Sequence, residues 1–488
     1  MPRTLVRAAL FAGACLLAPH LTAPLSAETL KDALARAYFD NPTLEAARAQ
    51  QRATDESVVI QRASGLPSLS GSGTYTEFLK QSSSSFISPS RSASANVDLT
   101  VPLYQGGSVR NGILAAENRI EAGRADLRGT ESAIFNQVVA AYLDVIQNEA
   151  IVSLSTNNVE VLDVNFQATS DRFEIGDLTR TDVAQSQARL AVARGDLQSA
   201  QANLINARER YIELIGSEPG TLEAPPPLPG LPANADIAVD VALENNPDLL
   251  AAYERAEAAR YDIDVAGAGR MPTLEAFSGG SYQNYLGTLG TVPGSGTTAE
   301  QTSTGAQAGL RLRLPIFQGG RVSAQQRQAQ ANSQAALEQI IAAERSVIAQ
   351  VRSSYSSWRA ANAIVNSSQS AVDAASLSLE GVRAENTVGN RTILDILNAQ
   401  QELLSAQVQL VSARRNAYVA GFTLLAAMGK AEARDLGLGD NGPLYDPVAN
   451  YDRVRGIIWD WQRDEDPTTQ SSRTVDIPAQ DADIPPGN

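Results

Sequence analysis

The sequence predicts a mostly α-helical chain with transmembrane β-strands, built from two fused copies of one unit that joins a strand hairpin to a long coiled-coil hairpin. Landmarks repeat at a constant spacing of 213 residues. Val101-Pro102-Leu103-Tyr104-Gln105-Gly106-Gly107 matches Leu314-Pro315-Ile316-Phe317-Gln318-Gly319-Gly320, and Gly176, Asp182 and Gly216 match Gly389, Asp395 and Gly429. A repeat this long and free of gaps means duplication. After the Gly-Gly motif the pattern climbs as a helix for about seventy residues, roughly 100 Å, turns at Gly176 and returns for about forty. Before it lies an alternation of period two, the pattern of a two-faced strand.

The first 27 residues stand apart from this plan. Arg3 and Arg7 precede an apolar run from Ala8 to Leu17, and Leu25-Ser26-Ala27 ends in the small residue that a signal peptidase needs. Residues 1–27 are expected to be a secretory signal, with Glu28 the mature N-terminus. The only Cys and the only His, Cys15 and His20, fall inside it. Without them the mature chain has no Cys or His nucleophile, no Cys/His zinc or haem site and no disulfide, so neither an enzyme nor a cofactor is expected. Removing Arg3 and Arg7 from the 39 basic residues leaves 37 against 54 acidic ones, a net charge of −17. Such a chain should avoid nucleic acid, and a lumen lined by it should favour cations.

The first repeat is expected over residues 28–216. A short helix, Thr29 to Phe39, stops at Asn41-Pro42, and a second runs from Leu44 to about Arg62. Their counterparts, Ile237 to Glu244 and Leu249 to Asp264, flank Asn246-Pro247 at an offset of 205. The step from 205 to 213 places the only length difference between the halves just before the long helix. There a hairpin is predicted, with first arms Ser68 to Phe78 and Thr273 to Tyr285. In the second arms Val97, Leu99 and Val101, and Leu310, Leu312 and Leu314, alternate with polar or small residues. These six are expected to face lipid. Loop compositions, Ser82-Ser83-Ser84-Ser85 and Gly294-Ser295-Gly296-Thr297-Thr298, separate the arms.

Heptads mark the long helices: Val138, Val145, Val152, Val159, Phe166 and Phe173 going out, and Val183, Leu190, Leu197, Leu204 and Tyr211 coming back. In the second half Ile396, Leu403, Leu410 and Leu424 run beside an alanine seam, Ala399 to Ala427, which lets backbones approach closely. A plain coiled coil would explain the helices but not the strands. Residues 217–236 form a Pro-rich linker, residues 237–430 the second repeat and residues 431–488 a C-terminal tail. Tyr445-Asp446-Pro447 and Tyr451 to Trp461 are candidates to dock on the body, whereas Asp464 to Asn488 is expected to be disordered.

Four strands cannot close a barrel, and an open edge in lipid leaves unpaired backbone groups at several kcal/mol each. The chain is therefore expected to oligomerise. Two copies give eight strands and a filled interior; three give twelve and leave a lumen.

These features resemble the TolC-like outer-membrane channels of Gram-negative type I secretion and multidrug efflux. The likeness covers about residues 28 to 430 and includes Tyr104-Gln105-Gly106-Gly107, Phe317-Gln318-Gly319-Gly320 and the turn motifs Arg172 to Asp177 and Asn386 to Thr392. It implies a homotrimer with a twelve-stranded barrel in the outer-membrane lipid and a periplasmic α-barrel. Its tip would open on docking to an inner-membrane transporter and a periplasmic adaptor protein. By position, the family's gate falls on Thr181, Asp182, Arg391 and Asp395, with Asn386 in place of its tip tyrosine and Asn398 in place of a second ring aspartate. The adaptor-docking tips fall on Ile175, Gly176, Asp177, Val388, Gly389 and Asn390. The two aspartates also fit plain helix capping, in Thr179-x-x-Asp182 and Thr392-x-x-Asp395. A periplasmic coiled-coil adaptor or a structural protein without a channel is the alternative, but the compact β-domains that should flank an adaptor's single hairpin are not found.

Overall fold

The computed structural model describes residues 27–81, 88–291, 294 and 296–481. The expected signal up to Ser26, the run Ser82 to Ser85 and Ser295 lie outside the described residues. Helix α1 (Leu30–Asp40) starts at Thr29, whose hydroxyl exchanges hydrogen bonds with Asp32. Asn41 ends α1 and starts α2 (Pro42–Ala63). Its Oδ1 accepts from the backbone of Thr43 and Leu44, and Pro42 occupies the first helical position, where a missing N–H costs nothing. Asn246 repeats the arrangement between α5 (Ala235–Asn245) and α6 (Pro247–Ala268). Each asparagine also donates its amide to the end of a returning helix, Asn41 to the Leu214 carbonyl and Asn246 to that of Ala427, both at 2.9 Å. One side chain thus caps a helix and ties two elements that the duplication carried together.

The strands β1 (Ser68–Glu77), β2 (Arg91–Gln105), β3 (Thr273–Asn284) and β4 (Thr302–Arg313) form one antiparallel sheet in chain order, so the halves join through β2 and β3. Opposed residues share a face, and the register sorts the side chains sharply. Leu99 lies between Leu69 and Ser278, Val97 between Gly71 and Gly280, and Val101 beside Ala276, which pairs with Leu310. The other face carries Ser70, Asp98, Gly279 and Gln307 in one row, and Glu275 beside Arg311. Val97, Leu99, Val101, Leu310 and Leu312 therefore lie on one apolar face. Leu314 is a correction: β4 ends at Arg313, before Pro315. A proline has no N–H for the ladder. The matching Pro102 is kept inside β2, beyond the last β1 pair (Ser68 with Thr100) and at a register shift.

Below the sheet run α3 (Ser108–Glu174) and α4 (Arg180–Ile215), then α7 (Arg321–Thr387) and α8 (Ile393–Ala427). Both climbing helices have 67 residues, about 100 Å at the α-helical rise. The heptad positions Val138, Val145, Leu190, Leu204 and Tyr211 are buried, as are Ile396, Leu410 and Leu424. Phe173, the last of its series, is exposed. One stretch of α3 is long and apolar enough to cross a membrane. Its residues Ile134 to Val145, however, pack against α1, the end of α4 and Phe422 of α8 in the largest core cluster. A second cluster joins α5, α6, α7 and the end of α8 around Leu249, Val347, Val351 and Leu424.

Glu28 fastens the linker to this core. Its backbone N–H donates to Thr221 and its carbonyl accepts from Glu223. Its carboxylate accepts from the Tyr211 hydroxyl at 2.6 Å and from Arg36 at 3.0 Å, and the Tyr142 hydroxyl lies 2.8 Å from its carbonyl. Burial pushes both tyrosine hydroxyls above their ordinary range, and the Glu28 charge pushes in the same direction, so they stay neutral donors. Tyr211→Phe should cost about 1–3 kcal/mol, because it leaves a buried carboxylate with one donor fewer. Guanidinium unfolding of the variant checks this, and no shift in midpoint would remove the role assigned to the hydroxyl.

After α8 the chain turns through Ala431 to Leu438 into the first core cluster, then forms α9 (Pro447–Val454) along α2. Tyr451 docks under Arg124, and Asn450 donates to Asp55 at 2.8 Å. Ile458, Trp459 and Trp461 do not dock and are exposed. Residues 464–481 follow the body without helix or strand, and residues 482–488 of the expected disordered tail lie outside the described residues. The Ser472 backbone N–H donates to Asp40 at 2.7 Å, and that of Gln480 to Glu209 at 3.2 Å.

Candidate functional site: the hairpin tips and the two-faced sheet

Each hairpin turns over an αL glycine. Gly176 and Gly389 both have φ +84°, a conformation that a Cβ disfavours, with open space around them. In the first tip the Gly176 N–H donates to Phe173 and that of Asp177 to Arg172; in the second, Gly389 donates to Asn386 and Asn390 to Glu385. These are the paired bonds of a helix ended by glycine. The preceding residues, Ile175 and Val388, are 81% and 70% exposed. Two apolar side chains thus stand at matching points at the ends of the hairpins.

The returning helices start in capping boxes. Asp182 accepts from the Thr179 hydroxyl at 2.7 Å and backbone N–H at 2.9 Å, and Asp395 from the Thr392 hydroxyl at 2.8 Å and backbone N–H at 2.9 Å. The Thr179 hydroxyl, then its backbone N–H, holds Asp182 below the usual aspartate range; for Asp395 the Thr392 backbone leads and the hydroxyl follows. A lowered folded pKa stabilises above the unfolded value near 3.9 and is lost as pH falls through the folded value. The caps are therefore intact at neutral pH and fail only in acid.

The structure separates the expected gate residues. Thr181 and Asp182 lie at the start of α4, Arg391 and Asp395 at the start of α8, and within one chain Arg391 pairs with Glu385 of its own hairpin at 2.7 Å. That bond, more than the neighbouring Asp395, raises the guanidinium's pKa. The first tip carries the mirror of this pair, Arg172 with Asp177 at 2.6 Å. Arg172 and Glu385 occupy matching positions with opposite charge. The repeat offset gives that match, but Glu385 was not singled out from the sequence.

The two hairpins meet higher up. Leu397 of α8 is buried with Leu162 of α3 and Leu190 and Ala193 of α4. Beside it Arg189 donates to Asn398 at 2.9 Å, a link from α4 to α8. Heptad spacing marks Leu190 but not its partner across 200 residues. Asn398, where the resemblance expects a second ring aspartate, is thus held by an arginine of the other hairpin.

On the sheet, Arg311 bonds Glu275 at 2.6 Å and lies 4.8 Å over the ring of Phe277, all on the polar face. Exposed Tyr75, Phe78 and Tyr282 stand toward the hairpin-loop end, and exposed Tyr104 and Phe317 at the helical end. Two aromatic levels bounding an apolar face is the plan of a membrane β-barrel wall.

A sheet with one apolar and one polar face, continued by long helical hairpins, defines a channel-forming membrane protein. Residues 32–217 and 238–430 match the outer membrane efflux protein family. The outer membrane efflux protein BepC of Brucella suis is 32% identical over 428 residues, covering 88% of this chain and 91% of BepC. The outer membrane protein TolC of Escherichia coli is 30% identical over 431 residues, covering 87% and 86%. Among solved structures, the CmeC outer membrane channel of Campylobacter jejuni superposes with a TM-score of 0.72 at 16% identity, covering 93% of this chain and 98% of CmeC. The chain belongs to the outer membrane efflux protein family. It is an outer-membrane exit duct of the kind used in efflux and type I secretion, with a long periplasmic helical portion.

Proposed function

We propose that three copies assemble into a twelve-stranded barrel continued by a helical conduit, which receives substrate from an inner-membrane transporter through a periplasmic adaptor. The observation that carries this is the sheet: among the described residues it has four strands, apolar on one face, whose outer strands β1 and β4 each have only one partner. In lipid those edges must be paired, and copies of the same chain supply them in closed symmetry. Val97, Leu99, Val101, Leu310 and Leu312 then face lipid, while Asp98, Glu275 and Arg311 line the lumen.

The helical end acts as the gate. Thr181, Asp182, Arg391 and Asp395 stand beside the turns, where polar links between neighbouring hairpins close the conduit and the three Asp395 carboxylates ring it. Ile175 and Val388, with the glycines and Asp177 and Asn390 beside them, form the adaptor-docking surface. Native mass spectrometry of the detergent-extracted protein should give a trimer whose subunit begins at Glu28. Planar bilayers should show cation-preferring channels. A monomer, or a trimer that does not conduct, would overturn the reading.

A further inference from the structure

The C-terminal segment packs α9 along α2 but leaves the apex of its detour uncovered. Helix α9 runs alongside α2 toward the sheet: just before it the Tyr445 N–H donates to the hydroxyl of Tyr38 near the end of α1, Asn450 donates to Asp55, and Arg62 donates to the carbonyls of Arg455 and Ile457. Arg62 is in the last turn of α2, and Ser64, just beyond it, accepts from Gln105 at the helical end of β2. The chain then reverses, with Gln462 N–H on the Trp459 carbonyl and Arg453 on Asp464, and returns to Asp40 at the far end of α2. At the apex Ile458, Trp459 and Trp461 are 74%, 67% and 84% exposed. An excursion to the sheet that ends in three uncovered apolar side chains needs an apolar neighbour there.

We propose that Trp459 and Trp461 anchor the channel in the headgroup region of the outer membrane's inner leaflet. The occupant follows from position and chemistry. Through Arg62, and through Ser64 two residues on, the apex is tied to Gln105, the neighbour of exposed Tyr104, so it extends an aromatic level already present on the sheet. Indole suits that depth, because its apolar body and N–H donor are each satisfied at a membrane interface. The segment also holds Asp460, Asp464, Glu465 and Asp466, so the attraction is aromatic and needs no anionic lipid. The chain has three tryptophans in all, and the other, Trp358, lies 37 residues along α7 from Arg321, about 55 Å from the sheet.

This rests on the sheet being the membrane-spanning part, and the test separates the two. Wild-type trimers and Trp459→Gln/Trp461→Gln trimers, reconstituted in phosphatidylcholine vesicles, are compared with and without bromine on the acyl chain near the headgroup. Conductance first shows that both have inserted; failure there would reject the barrel. In inserted channels, brominated lipid should quench wild-type tryptophan emission and leave the double variant, with Trp358 alone, unquenched. The wild-type loss should persist at high salt. Equal emission in the two lipids would overturn the anchor, whether the indoles lie in water or against a neighbouring subunit.

Discussion

Val97→Arg should abolish assembly in the membrane, while Asn96→Arg one position along should be tolerated. Val97 sits mid-sheet on the apolar face, opposite Gly71 and Gly280. A charge on a lipid face costs ~2–4 kcal/mol at the bilayer midplane and ~0–1 near its edges. Asn96, on the polar face with Ser72 and Ser281, stays in water. Leu312→Arg should be mild, because Leu312 is next to the end of β4 and an arginine there can reach the interface. Trimer yield in extracted membranes reads all three. Equal yields for Val97→Arg and Asn96→Arg would reverse the assignment of the faces.

Arg391→Ser combined with Asp182→Ala should raise single-channel conductance several-fold, and Arg189→Ala should raise it further by freeing α8 from α4. Exposed charge links are individually weak, so closure must rest on several acting together. In a single chain Arg391 is held by Glu385, a partner that competes with the proposed link to a neighbouring hairpin. Asp182→Ala also removes half of a capping box, and Thr179→Ala serves as the control because it breaks the same cap while keeping the carboxylate. If Thr179→Ala opens the channel as far as the double variant does, the aspartate is a cap and nothing more. Asp395→Asn should lower cation preference without lowering trimer yield. Both electrostatic effects should fade as salt rises.

What was legible in the sequence was whatever local chemistry or a repeat could mark. Asn41-Pro42 and Asn246-Pro247 gave the helix junctions, Thr179-x-x-Asp182 and Thr392-x-x-Asp395 the helix starts, and alternation around Leu99 the sheet faces. The same alternation carried Leu314 one residue too far, since a period does not see that the next residue is a proline on a strand with no further partner. The links from Arg189 to Asn398 and from Arg391 to Glu385 were missed. The first joins residues 209 apart and the second depends on how one turn folds, and neither leaves a periodic trace. The tail's contacts, such as Ser472 with Asp40, are single hydrogen bonds made by a polar sequence, and composition marks none of them.

The clasp at Glu28 has a consequence for the order of events during biogenesis. The partners it holds through Tyr211 and Gly220 are 183 and 192 residues away, and among the described residues none of its bonded partners lies beyond Glu223. A chain that emerges N-terminus first delivers Glu28 early, and its carboxylate must wait for Tyr211 and Gly220 until the whole first hairpin has followed. Closing so long a loop is slow more than it is costly, since each doubling of length adds only ~0.6 kcal/mol. Once residue 223 has arrived, the site can close without the second repeat. The first half of the molecule is thus in a position to lock its own linker while the second is still being threaded, which favours pairing within one chain over pairing between two.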